Sequence, residues 1–479
     1  MLQARRHILA GLLMLGLLGG CGSPTAPAPS PAPSPTVPPA PTPTATRAPT
    51  AAPTVQPTLA PSPVPTALPT AAPTFAPTAA PTAVPTAPAP EPTHPSESPA
   101  PAPAPAGGEV LFLRGGALVA YAPAASTERT LADHVLDFAA SPDGAQIALI
   151  REVDRRIDLW LVRRDGSGLA QLTRDGPARV EATPAWSGDG GALAYAASDS
   201  SDPYPRSWPD WALWCSASEV RVRDMASGGE ATLGRGCDPA LSPDGRRLAF
   251  ATPPTAWEPG ITNGPTIANT IRLVNRRGEH GWNFAVAAGA DAPPPHTGRL
   301  VYAPAFAPDG GRLAYHRFLG YRALVDIDLS EIGGSFEGRG KPFAAGAGWL
   351  LPARFAPNGR DVALIEHNYS DARGFGGADN WSVTVVRLGE QEELPMPDGP
   401  MTFAGRRLAR LPRAQAAAWS PEGAALAVLL PAGWRPGLSP SEPFGGENPG
   451  EIWRWTPGGD PAERLVSNVD FASPVAWLR

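Results

Sequence analysis

The sequence predicts an all-β fold. It is read as a β-propeller of seven four-stranded blades with a composite closing blade, preceded by a signal peptide and a disordered Pro-rich linker. Three observations carry this. One hairpin recurs, as in "FAASPDGAQIALI" from Phe138, "PAWSGDGGALAYA" from Pro184, "PALSPDGRRLAFA" from Pro239, "PAFAPDGGRLAYH" from Pro304, "ARFAPNGRDVALI" from Ala353 and "AAWSPEGAALAVL" from Ala417. No long stretch of helical period follows Gly108, whereas alternating strands do. The two ends of the repeat region each hold only part of a unit.

Taken in chain order, residues 1–20 read as a signal peptide. Arg5 and Arg6 precede an apolar run, Ile8 to Leu18, too short to span a bilayer comfortably. The run ends in Leu18-Gly19-Gly20-Cys21, which resembles the lipobox of bacterial lipoproteins. The resemblance implies cleavage before Cys21 and lipidation of its thiol. It makes the membrane a partner through a two-chain lipid anchor, with the protein extracytoplasmic and held to the bacterial cell membrane. Residues 21–108 are Pro, Ala, Thr and Ser, typified by "APTAAPTFAPTAAPTAVPT". They lack the apolar surface needed to offset ordering entropy. Frequent Pro favours extended polyproline II, about 3.1 Å per residue.

Residues 109–479 form the predicted propeller. In Ser242-Pro243-Asp244-Gly245, Pro presets φ, Asp bonds back to the backbone and Gly accepts positive φ, so the motif is a tight hairpin. A third strand follows, such as "IDLWLVRRDGSG" from Ile157, and then a short fourth, such as "AQLT" from Ala170. The turns recur every 46 to 65 residues between Asp143 and Glu422, a variable period expected of blades with loop insertions. A lone four-stranded sheet cannot cover both faces, whereas blades around an axis cover one another. Glu109–Leu131 supplies three strands without an inner one, and Ser473–Arg479 reads as the missing inner strand.

These Ser-Pro-Asp-Gly hairpins resemble the TolB-type, WD40-like propeller repeats of bacteria. The resemblance covers Glu109–Arg479 and implies the fold. Propellers host many activities, so it does not name a function. TolB itself carries an α/β domain ahead of its repeats, where this chain has the linker. The repeats are also similar to the propeller of prolyl-oligopeptidases, but no Gly-x-Ser-x-Gly nucleophile motif occurs.

Composition narrows the partners. The net charge is −6 with interspersed signs, and there is no basic stripe for nucleic acid. Lys341 is the sole Lys beside 38 Arg, a bias of base composition more than of chemistry. With Cys21 lipidated, Cys215 and Cys237 remain, and an even remainder in an exported chain predicts a disulfide. Long insertions fall mainly between the second and third strands of blades, on the face opposite the Pro-Asp-Gly turns. They carry the candidate ligand-binding aromatics Tyr204, Trp208, Trp211, Trp257, Tyr369, Trp381 and Trp434. His316 and the pair Glu366-His367 end neighbouring strands near one mouth, without metal-ligand spacing. No catalytic residue, metal or cofactor is assigned. The expected function is a monomeric, membrane-anchored binding or scaffold module for a protein or glycan. The alternative is an exported hydrolase or lyase acting on polysaccharide or peptide at the axial mouth.

Overall fold

The computed structural model describes residues 108–176, 179–199, 208–254, 269–287, 300–319, 324–333, 341–368, 380–396, 399–439 and 449–479. Alternating apolar side chains make antiparallel strands of nearly all the regular structure, and the strands form four-stranded meanders. The first blade runs Val135–Ala140, Gln146–Val153, Arg156–Arg163 and Ala170–Gln171. The second runs Val180–Trp186, Ala192–Ser198, Ser218–Asp224 and Glu230–Arg235. One parallel pair, Ile157 with Val180, joins the two into a single sheet. The innermost strands of the third, fourth and sixth blades are Cys237–Leu241, Leu300–Phe306 and Ala416–Trp419. That of the fifth is split into Trp349–Leu350 and Arg354–Phe355, with Pro352 in the gap, where a residue without an N–H fits best.

The ends of the domain build one blade together. Ala476–Leu478 pairs with Glu109–Arg114, placing Val110 opposite Trp477, and Ala117–Ala122 and Thr127–Ala132 complete the sheet. The Leu113 amide donates to Ser473 Oγ at 2.7 Å, and Asp470 accepts from the Gly115 and Gly116 amides at 2.9 Å each. The inner strands follow one another around an axis: Val135–Ala140 lies against Val180–Trp186, then come Cys237–Leu241 and Leu300–Phe306. The outer strands Lys341–Ala347 and Gly399–Pro412 join the fourth and fifth blades. Arg354–Phe355, Ala416–Trp419, Ala476–Leu478 and again Val135–Ala140 return the circuit to its start. The molecule is therefore a β-propeller.

The Pro-Asp-Gly turns are locked by one repeated network. Ser242 Oγ donates to Asp244 Oδ1 at 2.6 Å and accepts from the Arg247 amide at 2.9 Å. Asp244 Oδ1 also accepts from the Arg246 amide at 3.1 Å. Ser141 with Asp143 and Ser187 with Asp189 repeat this arrangement. The serine hydroxyls hold these carboxyls below the usual aspartate range. Gly245 closes its turn at φ 64°, and a Cβ there would meet the Asp189 carboxylate at 2.7 Å. A Cβ on Gly188 would meet Pro243 at 2.6 Å, so neighbouring turn tips pack on one another.

Between blades, small and large side chains interdigitate. The Trp186 indole donates to the Ala139 carbonyl of the preceding blade at 2.9 Å, and Trp419 does the same to Arg354 at 2.9 Å. Core residues such as Leu149, Leu193, Leu248 and Leu426 are fully buried, each stabilising by about 1.5–3 kcal/mol. One feature departs from the expectation of strands alone: Trp208–Ala217 is an α-helix. Its buried tryptophans share one side, but the outward Leu213 is apolar too, so no amphipathic period marks it in the sequence.

Candidate functional site

The helix Trp208–Ala217 is the insertion between the second and third strands of the second blade. Pro209 sits in its first turn, where the missing N–H costs nothing. Asp210 in the same turn favours the helix dipole. Trp208, Trp211 and Trp214 recur at three-residue spacing, which brings their rings toward one side. They do not project outward. Trp208 stacks on Phe318 of the fourth blade at 3.9 Å and meets Trp349 of the fifth edge-on at 6.3 Å. Tyr302 in turn stacks on Trp349 at 4.7 Å. The second blade thus reaches over the third to cover the insertion-side ends of the fourth and fifth.

Two further ties hold the helix down. Cys215 is joined to Cys237, the first residue of the third blade's inner strand. This disulfide closes a loop across a sequence separation of 22, worth about 3 kcal/mol. The Trp211 indole donates to Asp238 Oδ2 at 2.8 Å, and the same oxygen accepts from the Ala303 amide at 3.1 Å. Burial pushes the Asp238 carboxyl up to about 6, against the pull of those two donors. Asp238 adopts a φ of 51°, strained for a residue with a Cβ. On the outer side of the helix, Leu213 is 58% exposed.

Three of the candidate ligand-binding aromatics face inward and not toward solvent. Trp208, Trp211 and Trp381 are buried, the last against the His367 ring at 4.4 Å. The physical reason is that the ring leaves apolar strand ends uncovered on its insertion side, and large rings gain more by sealing them than by facing water. Trp434 is half-buried, packs edge-on against Trp453 at 5.0 Å and lines a small cavity of about 40 Å³ with Leu411, Arg413 and Leu438. Tyr204, Trp257 and Tyr369 lie outside the described residues, as does Cys21.

His316 is fully buried in the fourth blade, 5.2 Å from the Tyr302 ring. Its Nε2 lies 2.9 Å from the Leu351 carbonyl, so Nε2 carries the proton and donates. Burial pushes this imidazole down to about 4, leaving it neutral near pH 7. Glu366 engages Arg410 at 3.4 Å, and burial raises its carboxyl against that pull. Among the described residues, no three His, Cys, Asp or Glu side chains gather as metal ligands.

Two groups escaped sequence reasoning. Glu181, second in its inner strand, is fully buried with neither carboxylate oxygen hydrogen-bonded. Burial, then the nearby charges of Asp158 and Asp175, push it up to about 7. The other group is a pair facing across the ring. Asp137 lies on the first blade's inner strand and Arg354 on the fifth's. Surrounding protein pushes Asp137 up to about 6 and Arg354 below the usual guanidinium range, with each charge partly offsetting the other. Those blades are not neighbours, so the two charges act on each other across the ring. The signal was available in register: Arg354 stands two residues before the turn, where the other complete units carry Ala139, Ala185, Ala240, Ala305 and Ala418.

No protein-family model matches the sequence, and no curated protein matches it. Solved structures do resemble the fold. TolB from Acinetobacter baumannii is 13% identical with a TM-score of 0.37, over 77% of this chain and 66% of that one. The Cps50 (Swd1) β-propeller domain of Myceliophteria thermophila is 13% identical with a TM-score of 0.42, over 69% and 86%. An oligogalacturonate lyase in complex with manganese is 13% identical with a TM-score of 0.43, over 66% and 79%. The chain is similar to these proteins in fold.

Proposed function

We propose that this protein is a membrane-anchored, extracytoplasmic propeller that binds a protein or glycan through its insertion-bearing rim. One observation carries the reading: the insertion helix is fixed to that rim by a disulfide, an indole–carboxylate bond and stacking across blades. The strands and turns already close the ring, so a buttressed cap adds a rigid, preorganised surface, which is what specific recognition requires. Leu213 on the cap and Trp434 after the second strand of the sixth blade supply apolar contact. Gly108, the first described residue, lies beside Leu478 on the turn side. The disulfide fits an oxidising compartment.

The test is a screen of the detergent-solubilised chain against a glycan array and purified envelope proteins, followed by variants. Leu213→Asp and Trp434→Ala should weaken capture at least tenfold, while Asp189→Asn on the turn side should leave it unchanged. Equal losses from both sides would reject the rim as the binding surface. For the anchor, Cys21→Ser should move the protein out of the detergent phase, and unchanged partitioning would reject lipidation.

A further inference from the structure

Among the described residues, the inner strands carry one cation, Arg354, that no side chain neutralises by contact. Six blades place alanine at the position of Arg354: Ala139, Ala185, Ala240, Ala305, Ala418 and, one residue ahead of Trp477, Ala476. In the complete blades this position faces another alanine on the adjacent strand, such as Ala148 opposite Ala139 and Ala363 opposite Arg354. Small pairs let the blades crowd the axis. Arg354 breaks the pattern, is solvent-exposed, and forms no side-chain hydrogen bond or ion pair among the described residues. Its position on the fifth blade's inner strand, opposite Ala363, sets it beside the axis, and its charge is felt by Asp137 on the non-adjacent first blade.

We propose that Arg354 is the recognition element of an axial site that binds a carboxylate. A guanidinium offers two parallel N–H donors matched to a planar carboxylate. The other ionisable groups on the inner strands are Asp137, Glu181, Asp238 and Tyr302. Glu181 and Tyr302 are buried between blades, and Asp238 is engaged by Trp211 and Ala303. Asp137 and Asp238 make the channel inhospitable to a dianion such as phosphate, so the monoanion is favoured. The insertion helix packs on Trp349 at the far end of the fifth blade's inner strand, whereas Arg354 sits two residues from its turn. The ligand enters from the Pro-Asp-Gly side. This inference stands apart from the rim proposal.

Arg354→Ala is an unusually clean test, because alanine already occupies this position in six blades and the variant should melt close to the native protein. Calorimetric titration of the detergent-solubilised chain with sodium acetate, at ionic strength held constant with chloride, should show one saturable site. Arg354→Ala and Arg354→Gln should abolish it, and Asp137→Asn should tighten it severalfold by removing the facing charge. A short peptide with a free C-terminal carboxylate, compared with its amide, separates a chain end from a small acid as the source. No saturable heat with acetate, equal binding by Arg354→Ala, or tighter binding of inorganic phosphate than of acetate would overturn the assignment.

Discussion

The two rims of this ring are held by opposite means. On the turn rim the bonds are local: in the first three blades Ser, Asp and Gly bond across two to five residues of chain. On the insertion rim the second blade secures others, through rings and a disulfide that join residues far apart in sequence. The difference teaches where the cooperativity lies. Local networks divide their contribution among six turns, so losing one is survivable. The cap concentrates its contribution in a few long-range contacts.

The largest effect is therefore expected at Trp208. Its ring is fully buried between Phe318 and Trp349, and Trp208→Ala leaves a cavity that strand ends cannot fill. The expected loss is about 3–5 kcal/mol, read from denaturant unfolding. A loss near 1 kcal/mol would show the cap to be loosely seated. Next comes the disulfide: Cys215→Ser with Cys237→Ser should lower stability by about 3 kcal/mol. A melting temperature indifferent to both the substitution and a reductant would mean that the helix holds without it.

Glu181 sharpens the comparison by pH. Its carboxyl ordinarily titrates near 4.5 and is pushed up to about 7 in the fold. The folded state thus holds a proton that the unfolded chain releases, and stability falls as pH rises through that window. Glu181→Gln keeps the shape without the charge. It should stabilise the protein at pH 8 by on the order of 2 kcal/mol and flatten this fall, while matching the native protein at pH 4. Identical profiles for the two would show that Glu181 is ionised and solvated.

The same contrast governs what was legible beforehand. The hairpin, the blade and the composite closing strand are written in short-range patterns: Pro-Asp-Gly at the turn, alternation along Leu248-Ala249-Phe250, a stray inner strand within Ser473–Arg479. The pairing of Cys215 with Cys237 followed from counting. The cap was not legible, because Trp208 finds Phe318 and Trp349 through the ring and not along the chain. Nor does the sequence say which insertion aromatics bind and which seal apolar strand ends left uncovered by the ring. Arg354 was hidden differently. It lies within a repeat copy, "ARFAPNG", and stands out only once the copies are placed in register.

The smallest effect belongs to the turn rim and can be tested in both directions. Ser242→Ala removes the hydroxyl that bridges the Arg247 amide and Asp244, a loss of about 1 kcal/mol for a bond of this kind. The fourth and fifth blades already carry Ala307 and Ala356 at this place, and their turns keep the backbone bonds Ala307 N to Arg312 O at 3.0 Å and Ala356 N to Asp361 O at 2.8 Å. Asp309 still accepts from the Gly311 amide at 2.8 Å. The turn therefore survives without the hydroxyl, and its absence leaves a position where one fits. Ala307→Ser should gain up to about 1 kcal/mol, since Ser187 occupies the same site fully buried and with its bonds made. The paired melts of Ser242→Ala and Ala307→Ser decide the matter. Opposite shifts of similar size would show that each turn contributes on its own account. A neutral Ser242→Ala would mean instead that packing between tips, such as Pro243 against Gly188, holds this rim.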